Sequence, residues 1–269
     1  MQVARFRTSD AITFGIVDKD PDSGAAELVE LVADPMVAGY ETTGRRFPFS
    51  EVTLLSPVIP RSKVVGVGKN YADHREEMRE LTGGDAPADN PVLFLKPNTS
   101  VIGPNDPIVL PEQSERVEFE GELAVVIGAV AKAVPASRAL EVVYGFTCAN
   151  DVTARDLQIA DKQWTRAKSF DTFCPIGPVI ETDLDLAAAT LTTAVNGEER
   201  QRAAVSDMLH GVAELVAYAS AAFTLLPGDV ILTGTPAGVG VLTAGDRVTV
   251  AISGIGELSN PVAAAPAAR

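Results

Sequence analysis

Residues 117–127, Val117-Glu118-Phe119-Glu120-Gly121-Glu122-Leu123-Ala124-Val125-Val126-Ile127, restrict the fold more than any other segment of the chain. The second half is a continuous apolar, β-branched run that reads as a buried strand. The first half sets Glu118, Glu120 and Glu122 at alternate positions, and the two-residue period of a strand puts all three on one face. Neighbouring carboxylates raise each other's pKa and cost stability, so an acidic row entering a Val/Ile core calls for a cation. A divalent metal would supply it, whereas a solvated strand edge would need none, and spacing alone leaves both readings open. Magnesium and manganese take oxygen ligands and keep positions open for water or substrate, while zinc favours His and Cys, of which the chain has two each.

Charge narrows the partners. The chain carries 36 acidic against 22 basic side chains, a formal charge of −14, which repels phosphate backbones and anionic lipid. Neither a nucleic-acid nor a membrane-surface binder is expected, and a small-molecule substrate becomes the default. With 46% hydrophobic residues in 269, the chain has the composition of a folded protein of one large domain, or a small one joined to a medium one. Arg5, Arg7 and Asp10 interrupt any signal-peptide pattern. The longest uncharged stretches, 215–227 and 230–245, fall short of the roughly 20 apolar residues that span a bilayer, so a cytoplasmic protein is expected. Cys148 and Cys174 lack metal or redox spacing and read as small buried residues.

Residues 1–58 read as a small β-rich N-terminal domain, with alternation over 3–7 and 12–17 around a Ser9-Asp10 turn. Pro57 and Pro60 frame a connector, and a second domain covers 59–269. Strands are expected over 64–67, 92–95, 108–110, 118–127, 145–150, 191–195, 230–232 and 248–252, with a hairpin at Asn196-Gly197. Helices are expected over 153–161, capped by Thr153, and over 206–226, where Leu209, Val212, Leu215, Val216 and Phe223 mark an apolar face. Without βαβ alternation or repeats, the fold class is α+β, predominantly β, around a bent or rolled sheet. The tail 263–269 is expected to fray. The polar stretch 75–90, with Gly83-Gly84 as a hinge, reads as a lid or as a solvated surface helix and loop.

Several residues have the chemistry of a site. Asp151 follows Asn150 where a strand ends before a helix, a position for a third metal ligand or for a turn or cap. His74 has Glu77 three residues on, one helical turn away, where a carboxylate orients an imidazole base. His210 reads as structural or surface. Gly66 and Gly68 do not complete a dinucleotide fingerprint, because Tyr71 holds its sixth position. The loop 234–240 lacks a P-loop Gly-Lys-Ser/Thr and reads as a tight loop whose backbone N–H groups meet an anionic ligand.

Six blocks occur in order: Gly68-Lys69-Asn70-Tyr71-Ala72-Asp73-His74, Pro91-Val92-Leu93-Phe94-Leu95-Lys96-Pro97, Phe119-Glu120-Gly121-Glu122-Leu123, Asn150-Asp151-Val152-Thr153-Ala154-Arg155-Asp156, Ala167-Lys168-Ser169-Phe170-Asp171 and Leu232-Thr233-Gly234-Thr235-Pro236. Together they resemble the fumarylacetoacetate hydrolase family. The resemblance is to its smaller bacterial branch of acylpyruvate hydrolases, oxaloacetate decarboxylases and homoprotocatechuate-pathway isomerase/decarboxylases. It implies a mixed β-roll catalytic domain and Mg²⁺ or Mn²⁺ held by Glu120, Glu122 and Asp151, with Glu118 a neighbour. The metal would chelate the substrate's carboxylate and 2-oxo oxygen and stabilise an enolate. The resemblance further implies Lys168 as the active-site lysine, His74 and Glu77 as the acid/base pair, Arg155, Gln158 and Thr235 as contacts for the substrate carboxylate, and a homodimer.

The activity so implied is C–C hydrolysis or decarboxylation of a small 2-oxo acid, such as an acylpyruvate or oxaloacetate, in aromatic catabolism. Alternatives are a 2-hydroxyhepta-2,4-diene-1,7-dioate isomerase, a 5-carboxymethyl-2-oxo-hex-3-ene-1,7-dioate decarboxylase, or a catalytically silent metal-binding homologue. A longer dicarboxylate calls for a basic side chain facing the metal across the pocket. Fumarylacetoacetase itself resembles the chain only in its metal and lysine motifs, which disfavours tyrosine-catabolism hydrolysis.

Overall fold

The apolar run forms the strand Gly121–Ile127, buried along its whole length. It pairs antiparallel with Val143–Asn150 on one side and with Val230–Leu232 on the other. Its side chains serve two cores. Leu123, Val125 and Ile127 pack in a cluster with Phe6, Val65 and Leu215, and Ala124 and Val126 in another with Val64, Ile176 and Leu232. From Leu123 to Ile127 the strand is covered on both faces, which is why that part of its sequence is apolar throughout and does not alternate. This computed structural model describes residues 1–19, 24–82 and 90–265.

The central sheet extends both ways from this strand. Val230–Leu232 runs parallel to Val64–Gly68, which pairs with Val92–Lys96. On the other side Val143–Asn150 pairs with Cys174–Glu181, and Cys174–Glu181 with Gln2–Arg7. The sheet then continues through Ile12–Lys19 and Ala26–Leu31 to Thr42–Pro48. The N-terminal strands thus prolong the sheet of the larger part, with Gln2 opposite Glu181 and Val3 opposite Ile180. A five-stranded sheet runs in the order Glu198–Ala204, Thr190–Val195, Arg247–Ile252, Gly256–Ala264, Ile108–Leu110. A small third sheet joins Thr153–Ala154, Val117–Phe119 and Gly240–Val241. The Asn196-Gly197 turn forms, with φ of 54° and 82°, the left-handed pair that a tight hairpin needs. Sheets dominate and helices are short, as an α+β, predominantly β chain requires. Among the described residues no helix is long and apolar enough to cross a membrane.

Five local expectations change. The strand over 118–127 breaks at Glu120, between Val117–Phe119 and Gly121–Ile127. The helix expected from Thr153 begins at Arg155, because Thr153 lies in a short strand and its hydroxyl donates to the Asp151 carbonyl. The helix expected over 206–226 is confined to Val212–Ala222. Ahead of it, Leu209 and His210 donate their N–H groups to the Asn70 carbonyl and Oδ1, which holds them out of the helix. Cys174–Glu181 is a strand although Pro175, Gly177 and Pro178 obscure its pattern. Ala263 and Ala264 do not fray, since they pair with Val109 and Leu110. The polar stretch after His74 begins as the helix Ala72–Thr82. Gly83 and Gly84, the expected hinge, lie outside the described residues.

Candidate active site

The break at Glu120 builds the site. The Glu120 N–H donates to Asn150 Oδ1 (2.9 Å) and the Gly121 N–H to Gln201 Oε1 (3.0 Å), so side chains satisfy the backbone where the chain leaves one sheet for another. The Glu120 carbonyl accepts the Asp151 N–H at 2.8 Å, which brings the end of Val143–Asn150 against the break. Position 121 must be glycine, because a Cβ there would lie 2.0 Å from Thr193 Oγ1. As a result one oxygen each from Glu120, Glu122 and Asp151 falls within 4.8 Å of the others, all three side chains buried. Three converging carboxylates match the donor set of a hard divalent cation. Glu118 is not part of this group; the break turns it to Arg116 Nε (2.6 Å) and Arg155 Nε (2.7 Å).

Buried cations brace the carboxylates. Lys168 Nζ donates to Glu120 Oε2 (2.7 Å) and Asp151 Oδ2 (2.6 Å) and lies 5.2 Å from the centre of the Phe94 ring. Arg155 donates to Glu118, Glu120 and Gln158. Burial alone would raise the Glu120 carboxyl, but Lys168 and Arg155 outweigh it and hold it well below the usual carboxylate range. Glu122 goes the other way. Burial, then the charges of Asp151 and Glu120, lift it well above the usual range, although the Gly234 N–H donates to its Oε2 at 2.7 Å. Burial would lower the Lys168 ammonium, yet Asp151 and Glu120 keep it above its ordinary value. Two carboxylates side by side with opposite shifts form the environment in which metal binding and proton release are linked.

His74 and Glu77 share one turn of the helix Ala72–Thr82, with Nδ1 2.9 Å from Glu77 Oε2. An ionised carboxylate only accepts, so in the neutral imidazole the proton sits on Nδ1 and Nε2 carries a lone pair. Glu77 Oε1 accepts the Gly238 N–H at 3.1 Å. The loop 234–240 was expected to meet an anionic ligand, but the N–H groups of Gly234 and Gly238 meet the chain's own Glu122 and Glu77. His210 pairs with Glu214 at 2.7 Å.

A cavity of about 400 Å³ is lined by His74, Glu120, Glu122, Asp151, Arg155, Gln158, Lys168 and Thr235. Every nominated residue therefore reaches the cavity except Glu77, which stands behind His74. The Arg155 guanidinium, nominated for the substrate carboxylate, is engaged with protein carboxylates. Thr235 donates to the Gly121 carbonyl (2.9 Å) and accepts from Gln201 Nε2 (2.7 Å), tying its loop to the metal strand. Sequence reasoning passed over Lys96, whose Nζ donates to Asp151 Oδ1 at 2.5 Å. The signal available in the sequence was a lysine closing the apolar run of the strand Val92–Lys96; the structure leaves it 1% exposed, and lysine is almost never fully buried unless paired. Lys69, Lys162, Trp164 and Met78 also line the cavity and were not singled out.

Residues 63–263 match the fumarylacetoacetate (FAA) hydrolase C-terminal family, and residues 1–57 match the Rv2993c-like N-terminal family. The chain belongs to the fumarylacetoacetate hydrolase family. It is 50% identical over 265 residues to Protein Rv2993c of Mycobacterium tuberculosis, covering 97% of this chain and 98% of that protein. The crystal structure of 2-hydroxyhepta-2,4-diene-1,7-dioate isomerase from Mycobacterium marinum is similar at a TM-score of 0.89 and 48% identity, covering 98% and 99% of the two chains. That of fumarylpyruvate hydrolase from Pseudomonas aeruginosa, in complex with Mn²⁺ and pyruvate, is similar at 0.71 and 36% identity, covering 79% and 92%. Members of the family are enzymes that include hydrolases and isomerases.

Proposed function

We propose that the chain is a Mg²⁺- or Mn²⁺-dependent enzyme that cleaves a C–C bond, by hydrolysis or decarboxylation, in a small 2-oxo acid such as an acylpyruvate or oxaloacetate. One observation carries this reading: Glu120, Glu122 and Asp151 converge in the cavity that also holds His74 and Lys168. The hydrolase relative in complex with Mn²⁺ and pyruvate supports it. When bound, the divalent ion supplies Lewis acidity toward the carboxylate and 2-oxo oxygens of the substrate.

The chain's own residues supply the rest. His74 Nε2 takes a proton from water as the water oxygen bonds to C4 of an acylpyruvate. The C3–C4 bond then breaks, its electron pair passes into the enolate, and C3 takes up a proton from solvent while His74 releases its own to solvent, leaving pyruvate and a carboxylic acid. In oxaloacetate the C4 carboxylate departs as CO₂ instead, and C3 takes up a proton. Lys168 holds positive charge in the cavity where the enolate develops, with its own carboxylate partners fixing its place. Gln158 meets the substrate carboxylate, Thr235 spends its hydroxyl proton on the Gly121 carbonyl and holds its loop to the metal strand, and Arg155 holds Glu120 and Gln158 in position.

A second reading has a specific support. Lys69 and Lys162 line the same cavity, the basic groups that a longer dicarboxylate would need, and this favours a dienedioate isomerase or decarboxylase built on the same enolate chemistry. Both readings are tested by exchange at C3 of pyruvate. In D₂O with Mn²⁺, proton NMR of quenched samples stripped of Mn²⁺ should show loss of the methyl signal, abolished when EDTA is present during the incubation and by Lys168→Met. A full methyl signal after long incubation, with Mn²⁺ binding confirmed by calorimetry, would set aside enolate chemistry and favour a silent homologue. Turnover of a dienedioate that Lys162→Ala selectively weakens through KM would favour the second reading over the first.

A further inference from the structure

Asp151 is gripped by lysine on both oxygens. Lys96 Nζ donates to Oδ1 at 2.5 Å, and Lys168 Nζ to Oδ2 at 2.6 Å. The two grips differ. Lys168 also holds Glu120 and lines the cavity, whereas Lys96, with no exposed side-chain surface, reaches the backbone carbonyl of Val152 (3.3 Å) as its other partner. Among the described residues lining the cavity, Lys168 appears and Lys96 does not. Oδ2 is therefore held by a lysine of the cavity wall and Oδ1 by a buried lysine outside that wall.

We propose that Lys96 is a positioning residue that makes Asp151 a one-oxygen ligand, and so sets the site's preference for a small divalent cation over Ca²⁺. The inference rests on the metal-site reading above. Ca²⁺ takes six to eight oxygens and commonly draws both from one carboxylate, whereas Mg²⁺ demands a near-ideal octahedron and takes one oxygen from each. Asp151 can offer both oxygens only by releasing Oδ1 from Lys96. That release leaves a buried ammonium without its carboxylate, which the interior resists. Lys168 imposes no such restriction, because the oxygen it holds is the one on the cavity-wall side.

The test is calorimetric titration of the metal-free protein with MnCl₂ and with CaCl₂, in wild type, Lys96→Met and Lys96→Gln. Wild type should bind Ca²⁺ at least about tenfold more weakly than Mn²⁺, and Lys96→Met should shrink that ratio by about tenfold, the scale of an outer-shell substitution. Lys96→Gln keeps a donor for Oδ1 and should retain most of the ratio. A change in net charge alone moves both affinities together, so an unaltered ratio in Lys96→Met would overturn the proposal. Wild-type protein that binds Ca²⁺ as tightly as Mn²⁺ overturns it without any variant, which covers a Lys96→Met protein that does not fold. Wild type that binds no Mn²⁺ refutes the metal site itself, and this inference with it.

Discussion

Replacing Arg155 by Met removes a guanidinium but keeps most of its volume. The side chain is 2% exposed, and it is the buried counter-ion of Glu118 and shares Glu120 with Lys168. Without it, Glu118 retains only Arg116, whose side chain is 43% exposed. Breaking a buried ion pair by removing one partner costs about 3–5 kcal/mol, because the remaining charge stays buried without compensation. At about 2–4 °C per kcal/mol for a chain of this size, the metal-free variant should melt roughly 6–20 °C below wild type. Mn²⁺ should recover part of the difference, since an ion that binds only the folded state stabilises it by mass action and also compensates Glu120. The assay is thermal and urea denaturation of EDTA-treated protein, repeated with Mn²⁺. A loss under about 1 kcal/mol, the size of an exposed pair, would refute the view that Arg155 braces the carboxylates and return it to direct contact with substrate.

Two further outcomes follow from the same geometry. Glu122, lifted by burial and by Asp151 and Glu120, stays protonated in the metal-free protein at pH values where a free carboxylate is ionised. The ion must displace that proton, so Mn²⁺ affinity should fall as pH falls, approaching on the order of tenfold per pH unit below the raised pKa. Calorimetry in buffers of different ionisation heat measures the proton released, and uptake of Mn²⁺ without it would contradict the assignment. His74→Ala should lower acylpyruvate hydrolysis by roughly 10²–10⁴, the range of a general base, and slow C3 exchange of pyruvate much less; equal losses in the two assays would make His74 a structural residue.

The strands built from continuous apolar runs, Leu123 to Ile127 above all, were legible because local pattern and tertiary environment agree. So was the Asn196-Gly197 hairpin, whose backbone demands those two residues. The carboxylates at Glu120 and Glu122 were visible as an anomaly and Asp151 as a candidate third ligand, but the geometry that joins the three and turns Glu118 away was not, since it depends on the break at Glu120. That break is held by Asn150 and Gln201, 30 and 80 residues distant, which no local period records. The shortened helix at Val212–Ala222 has the same origin, with Asn70 holding the chain ahead of it from 140 residues away. Cys174–Glu181 was hidden by prolines, and its pairing with Gln2–Arg7 makes the N-terminal strands part of the main sheet, a contact that composition and a proline-framed connector cannot reveal. Lys96 lay inside a recognised block, but its burial against Asp151 is a contact across 55 residues, which no local pattern records.

Metal-dependent cleavage of a 2-oxo acid is tested most directly by proton NMR of acetylpyruvate and oxaloacetate incubated with metal-free protein, before and after Mg²⁺ or Mn²⁺ is restored. Pyruvate should accumulate from at least one of them, above the rate of the ion alone, only once the ion is back. Equal turnover in EDTA, or no turnover of either compound by protein shown to hold the ion, would contradict it.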